Sequence, residues 1–349
     1  PAAAPLLPEL GPYARLARNH RRRMRSAAMP AHDARPLVSV VLVHHERPTL
    51  ARRALASLRA QSYENVEIVL VDDGSTGADA LAFLDELEAQ PPRGLRVVRQ
   101  PNLYVGAARN NGARAARGEF LLFMDDDNVA LGAQIEIMVR AALATPADIV
   151  TYVPLHEEVD RDERVIARGH RYFPIGGGIA GGVVRNVFGD ANALVRRTVF
   201  DALGGFGTQR RAVDDWQFFL RAVAHGHTIA VVPDSLAVYR FSAWAMFAMS
   251  EPVENHLHVL RAIASAPFGE LDGLADLIAM PVAHEPGARF SADARLALRP
   301  AAHLWERLQH ASGADAARIL RALAGELRLS NVTVAAPGGG AAHAAVSGS

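Results

Sequence analysis

Three consecutive carboxylates, Asp125, Asp126 and Asp127, follow the apolar run Phe120 to Met124 and precede Asn128. An apolar run of this length beside turn signals predicts a buried strand of a parallel sheet. Ligands of open α/β sheets bind where such strands run out. Three acids at one strand end repel one another unless a cation is shared among them. Hard oxygen ligands suit Mg2+ or Mn2+, and either ion suits a pyrophosphate. The plain alternative is a solvated acidic turn. Other chemistry-bearing residues stand at comparable places: His44 and Glu46 after LVSVVLV (37–43), Asp72-Asp73 after VEIVLV (66–71), and Asp214-Asp215 at the start of a predicted helix.

Stepping outward, the elements alternate. Strands are predicted at 37–43, 66–71, 95–98 and 120–124, and again at 148–153. Between them, helices begin near Leu50, span 78–88 with the stripe Leu81, Leu84 and Leu87, and cover 105–117 and 132–144. Thr49 is the expected cap of the first. This order implies a parallel sheet of right-handed crossovers, an α/β fold. From Pro154 to Gly189 the pattern lapses into a polar and then Gly-rich stretch (GGGIAGG, 176–182). It returns with a strand at 191–195, a helix at 214–224 and short strands at 228–232 and 236–239. Residues beyond Phe241 read as helices to about Leu329.

Composition narrows the chemistry. The 349 residues include no cysteine, which removes disulfides, thiol nucleophiles and Cys-ligated zinc. There is no lysine either, so a Walker-type loop and a Schiff base are excluded and all 37 basic residues are arginine. A net charge of +0 gives no sign of a nucleic-acid partner. No run approaches the roughly 20 apolar residues of a membrane span. The cysteine-free composition fits a cytoplasmic setting. Residues 1–36 are Pro/Ala-rich with a basic cluster, RNHRRRMR at 18–25, read as a linker or as a peripheral contact with anionic lipid or another domain. The end, APGGGAAHAAVSGS, reads as a flexible tail, and both ends look like seams of a longer polypeptide.

Three blocks in fixed order now resemble family 2 glycosyltransferases of the GT-A fold. They are VSVVLVHHERPTLARRALASLRAQSYENVEIVLVDDGST, NLYVGAARNNGARAARGEFLLFMDDDN and ALVRRTVFDALGGFGTQRRAVDDWQFFLRAVAHGH, which together cover about residues 36–241. The resemblance implies a Rossmann-like, mostly parallel sheet flanked by helices. It implies inverting transfer of a sugar from a nucleotide-sugar, with UDP or dTDP as the expected carrier, to a hydroxyl of a glycan, glycolipid or other acceptor. Asp125 and Asp127 match the acids of the DxD motif: Asp127 as ligand of Mn2+ or Mg2+, Asp125 toward ribose or a metal-bound water. Asp126, at the variable position beside the donor site, is expected to be solvated or capping. Asp73 matches the acid that accepts a hydrogen bond from the base, and Asp72 supports the turn. His44 and Glu46 fall where the family contacts nucleoside, although Tyr-Asn or similar is commoner there. Arg109 is expected on the diphosphate or on Asp73, with a structural ion pair as the alternative. In the acceptor block Asp215 matches the catalytic base and Asp214 its orienting neighbour, where the family has Glu. Trp216 offers a face to a sugar or a place in the core. The QxxRW box of processive synthases is missing, since Gln217 is followed by Phe-Phe-Leu-Arg; single-residue transfer is expected.

The implied organisation is an N-terminal extension (1–36), a GT-A domain (37–241) with a nucleotide-sugar half (37–128) and an acceptor half (129–241), a helical C-terminal extension (242–330) and a tail (331–349). The expected setting is cytoplasmic, at the inner face of a membrane, in cell-surface polysaccharide assembly. Competing readings are a haloacid dehalogenase-like phosphotransferase, a sugar-phosphate nucleotidyltransferase and a non-catalytic nucleotide-sugar-binding module. The first expects Gly-Thr after its acids and a later lysine. The second expects a Gly-rich loop where this chain has VLVHHERPTL.

Overall fold

The structure, a computed structural model, describes residues 13–26, 35–169, 174–176, 182, 186–210, 212–242, 255, 258–259, 318 and 332–334. Its elements are α1 (Ala14–Ser26), β1 (Val38–His44), α2 (Pro48–Arg59), β2 (Val66–Asp73), α3 (Ala78–Ala89), β3 (Leu95–Gln100), α4 (Val105–Ala115), β4 (Phe120–Asp125), β5 (Val129–Ala130) and α5 (Gln134–Ala144). Then come β6 (Ile149–Tyr152), β7 (Leu155–Val159), β8 (Val165–Gly169), β9 (Leu194–Arg196), α6 (Arg197–Ala202), α7 (Asp214–Ala224), β10 (Ile229–Val232), β11 (Ala237–Ser242) and β12 (Val332–Val334).

The main sheet runs β12-β10-β6-β9-β4-β1-β2-β3, and every pairing is parallel except those of β9 with β4 and β6. Short of their carboxyl ends its central strands are apolar, because both faces are covered, except for Ser39 of β1, which donates to Glu67 of β2. Val41, Val43, Leu121 and Phe123 join a cluster with α4 and α7. Val38, Val40, Leu42, Leu122 and Met124 point the other way and pack with α2, α3 and α5. Strand side chains alternate across the sheet, so each strand feeds two cores. Gly112 of α4 lies so close to Val41 and Val71 that a Cβ there would collide with both.

A second sheet, β5-β11-β7-β8, crosses the region that the sequence pattern left irregular. Its strands LHEEV and VIARG carry little apolar periodicity, and most of β8 is exposed. The expected basic linker contains helix α1, which packs Ala17 and Leu16 against Val129, Leu131 and Val238 of this sheet. Arg21 donates to the carbonyls of Ala60 and Gly132, and Arg23 pairs with Asp234. Four further expectations are corrected. Arg47, rather than Thr49, precedes α2, with Pro48 at its first turn and no side-chain cap. The strand expected at 191–195 is shorter and antiparallel. Residues 332–334 of the expected tail pair with β10. The strand expected at 236–239 extends to Ser242. The helical extension expected over 242–330 lies, but for Ser242 and four single residues, outside the described residues, as does most of GGGIAGG.

Candidate active site

The carboxyl ends of β1, β2 and β4, the N-terminal ends of α4 and α7, and the ends of β7 and β11 enclose a cleft of about 660 Å3. That size suits a ligand larger than a single sugar. Among the described residues, three non-glycine residues have left-handed backbones: Glu46 (φ 59°), Tyr104 (φ 71°) and Glu163 (φ 60°). All three line this cleft. Backbone strain of about 1–3 kcal/mol per residue gathers where a site over-determines the chain.

The floor is built around the three acids that end β4. Asp125 accepts from Arg109 Nη2 through both oxygens, at 2.7 and 3.0 Å. Asp126 is 1% exposed; it contacts His44 Nδ1 at 2.9 Å and pairs with Arg47. Asp127 accepts from Arg47 Nη1 at 2.7 Å through Oδ2, while its Oδ1 has no hydrogen bond among the described residues. Burial pushes the Asp127 carboxyl up to about 6; Arg47 opposes that shift, and Asp126 and Asp125 add to it. Nine carboxylates and three arginines line the cleft. The lining is therefore strongly acidic.

On the opposite wall, the first turn of α7 presents two acids in different directions. Adjacent helical residues lie about 100° apart, so both cannot face one partner. Asp214 is buried and takes Arg109 Nη1 at 2.6 Å. Arg109 therefore bridges β4 and α7; Asp125 and Asp214 hold its guanidinium charged against the burial that opposes it. Asp215 turns to the cleft. Its Oδ1 accepts from the Trp216 amide at 2.6 Å, and its Oδ2 has no hydrogen bond among the described residues. Burial, then the neighbouring Asp214, pushes the Asp215 carboxyl up to about 7. A carboxylate poised near neutrality in a cleft suits proton abstraction from a hydroxyl.

At the end of β2, Asp73 is buried; its Oδ1 accepts from Gln100 Nε2 (2.7 Å) and the Leu103 amide (2.8 Å). Its Oδ2 has no hydrogen bond among the described residues. Asp72 accepts from the Ser75 amide and hydroxyl and fixes the turn after β2. Asn110 of α4 exchanges two hydrogen bonds with the backbone of Phe206, each at 2.9 Å. The ARNNG segment thus ties the halves together through Arg109 and Asn110.

Residues 39–204 match the family model described as "Glycosyl transferase family 2". Those residues are a family 2 glycosyltransferase domain. Relatives of the domain include "Putative glycosyltransferase EpsH" of Bacillus subtilis, 40% identical over 107 residues, covering 31% of this chain and 30% of that protein. "Uncharacterized glycosyltransferase EpsJ" of the same organism is 26% identical over 222 residues, covering 59% and 61%. The chain thus spans less than two thirds of these curated relatives. The crystal structure of S. aureus TarS 1–349 in complex with UDP-GlcNAc superposes with a TM-score of 0.55 at 17% identity, covering 83% of this chain and 88% of that one. The glycosyltransferase domain has the GT-A fold.

The geometry revises several expected roles within the glycosyltransferase domain. His44 is fully buried, edge-on to Phe83, and faces Asp126 rather than the cleft. Glu46 lines the cleft, but its carboxylate accepts from the Thr76 and Gly77 amides and caps α3, which lowers its pKa. Arg109 reaches Asp214 and Asp125, with no bond to Asp73. Asp126 is neither solvated nor a helix cap. Trp216 is a core aromatic, donating to the Gly182 carbonyl at 2.6 Å. Of the two expected metal ligands, only Asp127 presents an oxygen with no hydrogen-bond partner among the described residues. Three further described histidines do not converge on these acids: His227 contacts Asp148, His258 contacts Gln217, and His225 follows the last residue of α7.

Three cleft residues escaped the sequence reading. Arg47 follows Glu46 in HHERP; the signal was its place just past a strand end. Asp190, in FGDAN, holds the Asn192 amide at 2.8 Å, and burial pushes its carboxyl up to about 7. Arg240 arrives from β11, held between Glu157 and Glu163. Its position depends on the pairing of β11 with β7, a strand that had no sequence signature.

Proposed function

We propose that this chain is an inverting glycosyltransferase that moves one sugar from a UDP- or dTDP-sugar to a hydroxyl of a glycan or lipid-linked acceptor. The observation that carries this reading is one cleft with two differentiated acidic walls. Asp73 and Asp127 each offer a carboxylate oxygen with no hydrogen bond among the described residues on the proposed nucleotide side, and Asp215 offers one on the proposed acceptor side. In the reaction, Asp215 takes the proton of the acceptor hydroxyl. The oxygen attacks the anomeric carbon, and the bond to the diphosphate breaks with its electron pair leaving on the phosphate. Attack and departure on opposite faces invert the centre. Asp73 recognises the imide of the base, and Arg109 holds the two walls at a fixed spacing.

The residues also fit a divalent ion held in part by substrate. Among the described residues no three acids or histidines form a metal cage. Mg2+ characteristically uses one or two carboxylates together with substrate phosphates and water, and Asp127 Oδ1 supplies such a ligand, with Asp125 nearby for a bound water. When bound, the ion stabilises charge on the departing diphosphate. Cell-surface polysaccharide assembly is the proposed setting, in keeping with relatives that include "Succinoglycan biosynthesis protein ExoW" of Rhizobium meliloti, 38% identical over 97 residues. No described helix is long and apolar enough to cross a membrane. Arg15, Arg18 and Arg22 lie exposed along one flank of α1, and we place a contact with anionic lipid there.

The test is a thermal-shift and calorimetric panel of nucleoside diphosphates with and without Mn2+, followed by assay of UDP release from UDP-sugars. UDP should stabilise the wild type in a metal-dependent way. Asp127→Ala should lose activity and weaken UDP binding more than uridine binding. Unchanged, metal-sensitive UDP affinity in that variant refutes the assignment. UDP-sugar binding without any turnover marks a binding module instead.

A further inference from the structure

Arg47 stands apart from the other cations of the cleft. Arg109 and Arg240 are about 5–6% exposed and locked between carboxylates, whereas the Arg47 side chain is 47% exposed. It still spans two acids, pairing with Asp126 and donating to Asp127. It starts from the loop between β1 and α2, directly after the strained Glu46, and its side chain caps nothing. Asp126 keeps a second partner, His44, whereas among the described residues the only cation paired with Asp127 is Arg47.

We propose that Arg47 is an internal counter-ion that competes with the divalent cation for Asp127 and binds the diphosphate once displaced. This rests on the reading of the cleft as a nucleoside-diphosphate site. Three adjacent carboxylates cannot all stay ionised without compensation. In the donor-free protein Arg109 compensates Asp125, and Arg47 compensates Asp126 and Asp127. A metal arriving alone must displace a guanidinium from Asp127, so metal binding without nucleotide is weak. A metal arriving with a diphosphate offers the displaced guanidinium a new anionic partner of matching fork geometry. Metal and nucleotide therefore load together.

The two ligands report this with opposite signs. Mn2+ binding to the nucleotide-free full chain would be followed by electron paramagnetic resonance, and UDP binding at saturating Mn2+ by calorimetry. Arg47→Ala should tighten Mn2+ alone about tenfold, because an acidic site loses its competitor, and weaken UDP about tenfold. Arg47→Lys should stay within about threefold of wild type for Mn2+, since it keeps the competing charge but not the fork. A purely structural Arg47 would weaken both ligands together, and that result overturns the proposal. Unchanged Mn2+ affinity in Arg47→Ala overturns it as well. Thermal unfolding of each variant, expected within a few degrees of wild type for so exposed a side chain, confirms that folded protein was measured. Failure of wild-type protein to bind UDP with any divalent ion would refute the donor reading, while the Mn2+ comparison would still decide the counter-ion role.

Discussion

Replacing Asp215 by Asn should inactivate the protein and stabilise it at once. The Asp215 carboxyl rises from 3.8 to about 7 because burial, reinforced by Asp214, penalises its charge. A raised acid contributes stability that is fully present below its unfolded pKa of 3.8 and is lost as pH climbs through about 7. Above that pH the folded protein carries an ionised group in an unfavourable place. At 1.36 kcal/mol per unit, roughly three units set a ceiling of about 4 kcal/mol. Asp215 is only partly sheltered from solvent, so about 1–2 kcal/mol is the expected gain. Asn keeps an acceptor for the Trp216 amide, so little helix stability is lost. Differential unfolding at about pH 8 should therefore show Asp215→Asn above wild type by roughly 2–6 °C, with the gap closing toward about pH 4. UDP release should fall about 10²–10⁴-fold while UDP affinity holds, as expected for a group that acts in the transition state. The wild-type rate should climb with pH through about 7. A variant that stays active, or that is less stable than wild type at about pH 8, would make Asp215 a helix-start residue and put the base elsewhere.

Two other substitutions probe the remaining walls. Asp73→Asn should weaken UDP by about 1–3 kcal/mol, the cost of a mispaired buried acceptor, and calorimetry with GDP as control should show no comparable loss; a wild type that prefers GDP would refute the role given to Asp73. Arg109→Met removes the shared partner of Asp125 and Asp214 and should cost about 3–5 kcal/mol in urea unfolding near neutral pH, less as pH falls and Asp214, whose carboxyl burial raises, takes up a proton; a cost below about 1 kcal/mol would mean the bridge does not hold the halves.

How much of this was legible in the sequence follows from where each signal originates. Strands β1, β2 and β4 announce themselves because residues such as Val41 and Leu42 are buried on opposite faces, leaving few polar positions before the strand ends. The acids at their ends follow from the same register. β7 and β8 were missed because polar residues such as Glu157 and Arg168 satisfy one another across the strands, a pairing that no local pattern encodes. Asp214 and Asp215 were legible as a pair, but their division of labour depends on Arg109, which lies 105 residues away. His44 misled because a strand-end residue can face either side, and here Asp126 and Phe83 claim it from within. The packing of α1 depends on backbone acceptors at Ala60 and Gly132, which leave no trace in side-chain composition.

The placement of β9 also bears on how the chain is assembled. It stands between β4 and β6, yet follows both in sequence. The wing from β3 to β4 can close as successive crossovers while the polypeptide emerges, since each strand meets a neighbour already made. Beyond it, the apolar edge Phe120–Leu122 must wait until Leu194–Arg196 is synthesised. In that interval the nascent protein carries an unpaired hydrophobic edge, a template for pairing with other chains. Slow translation between β6 and β9 should prolong that exposure, so soluble yield should depend on how quickly this stretch is made.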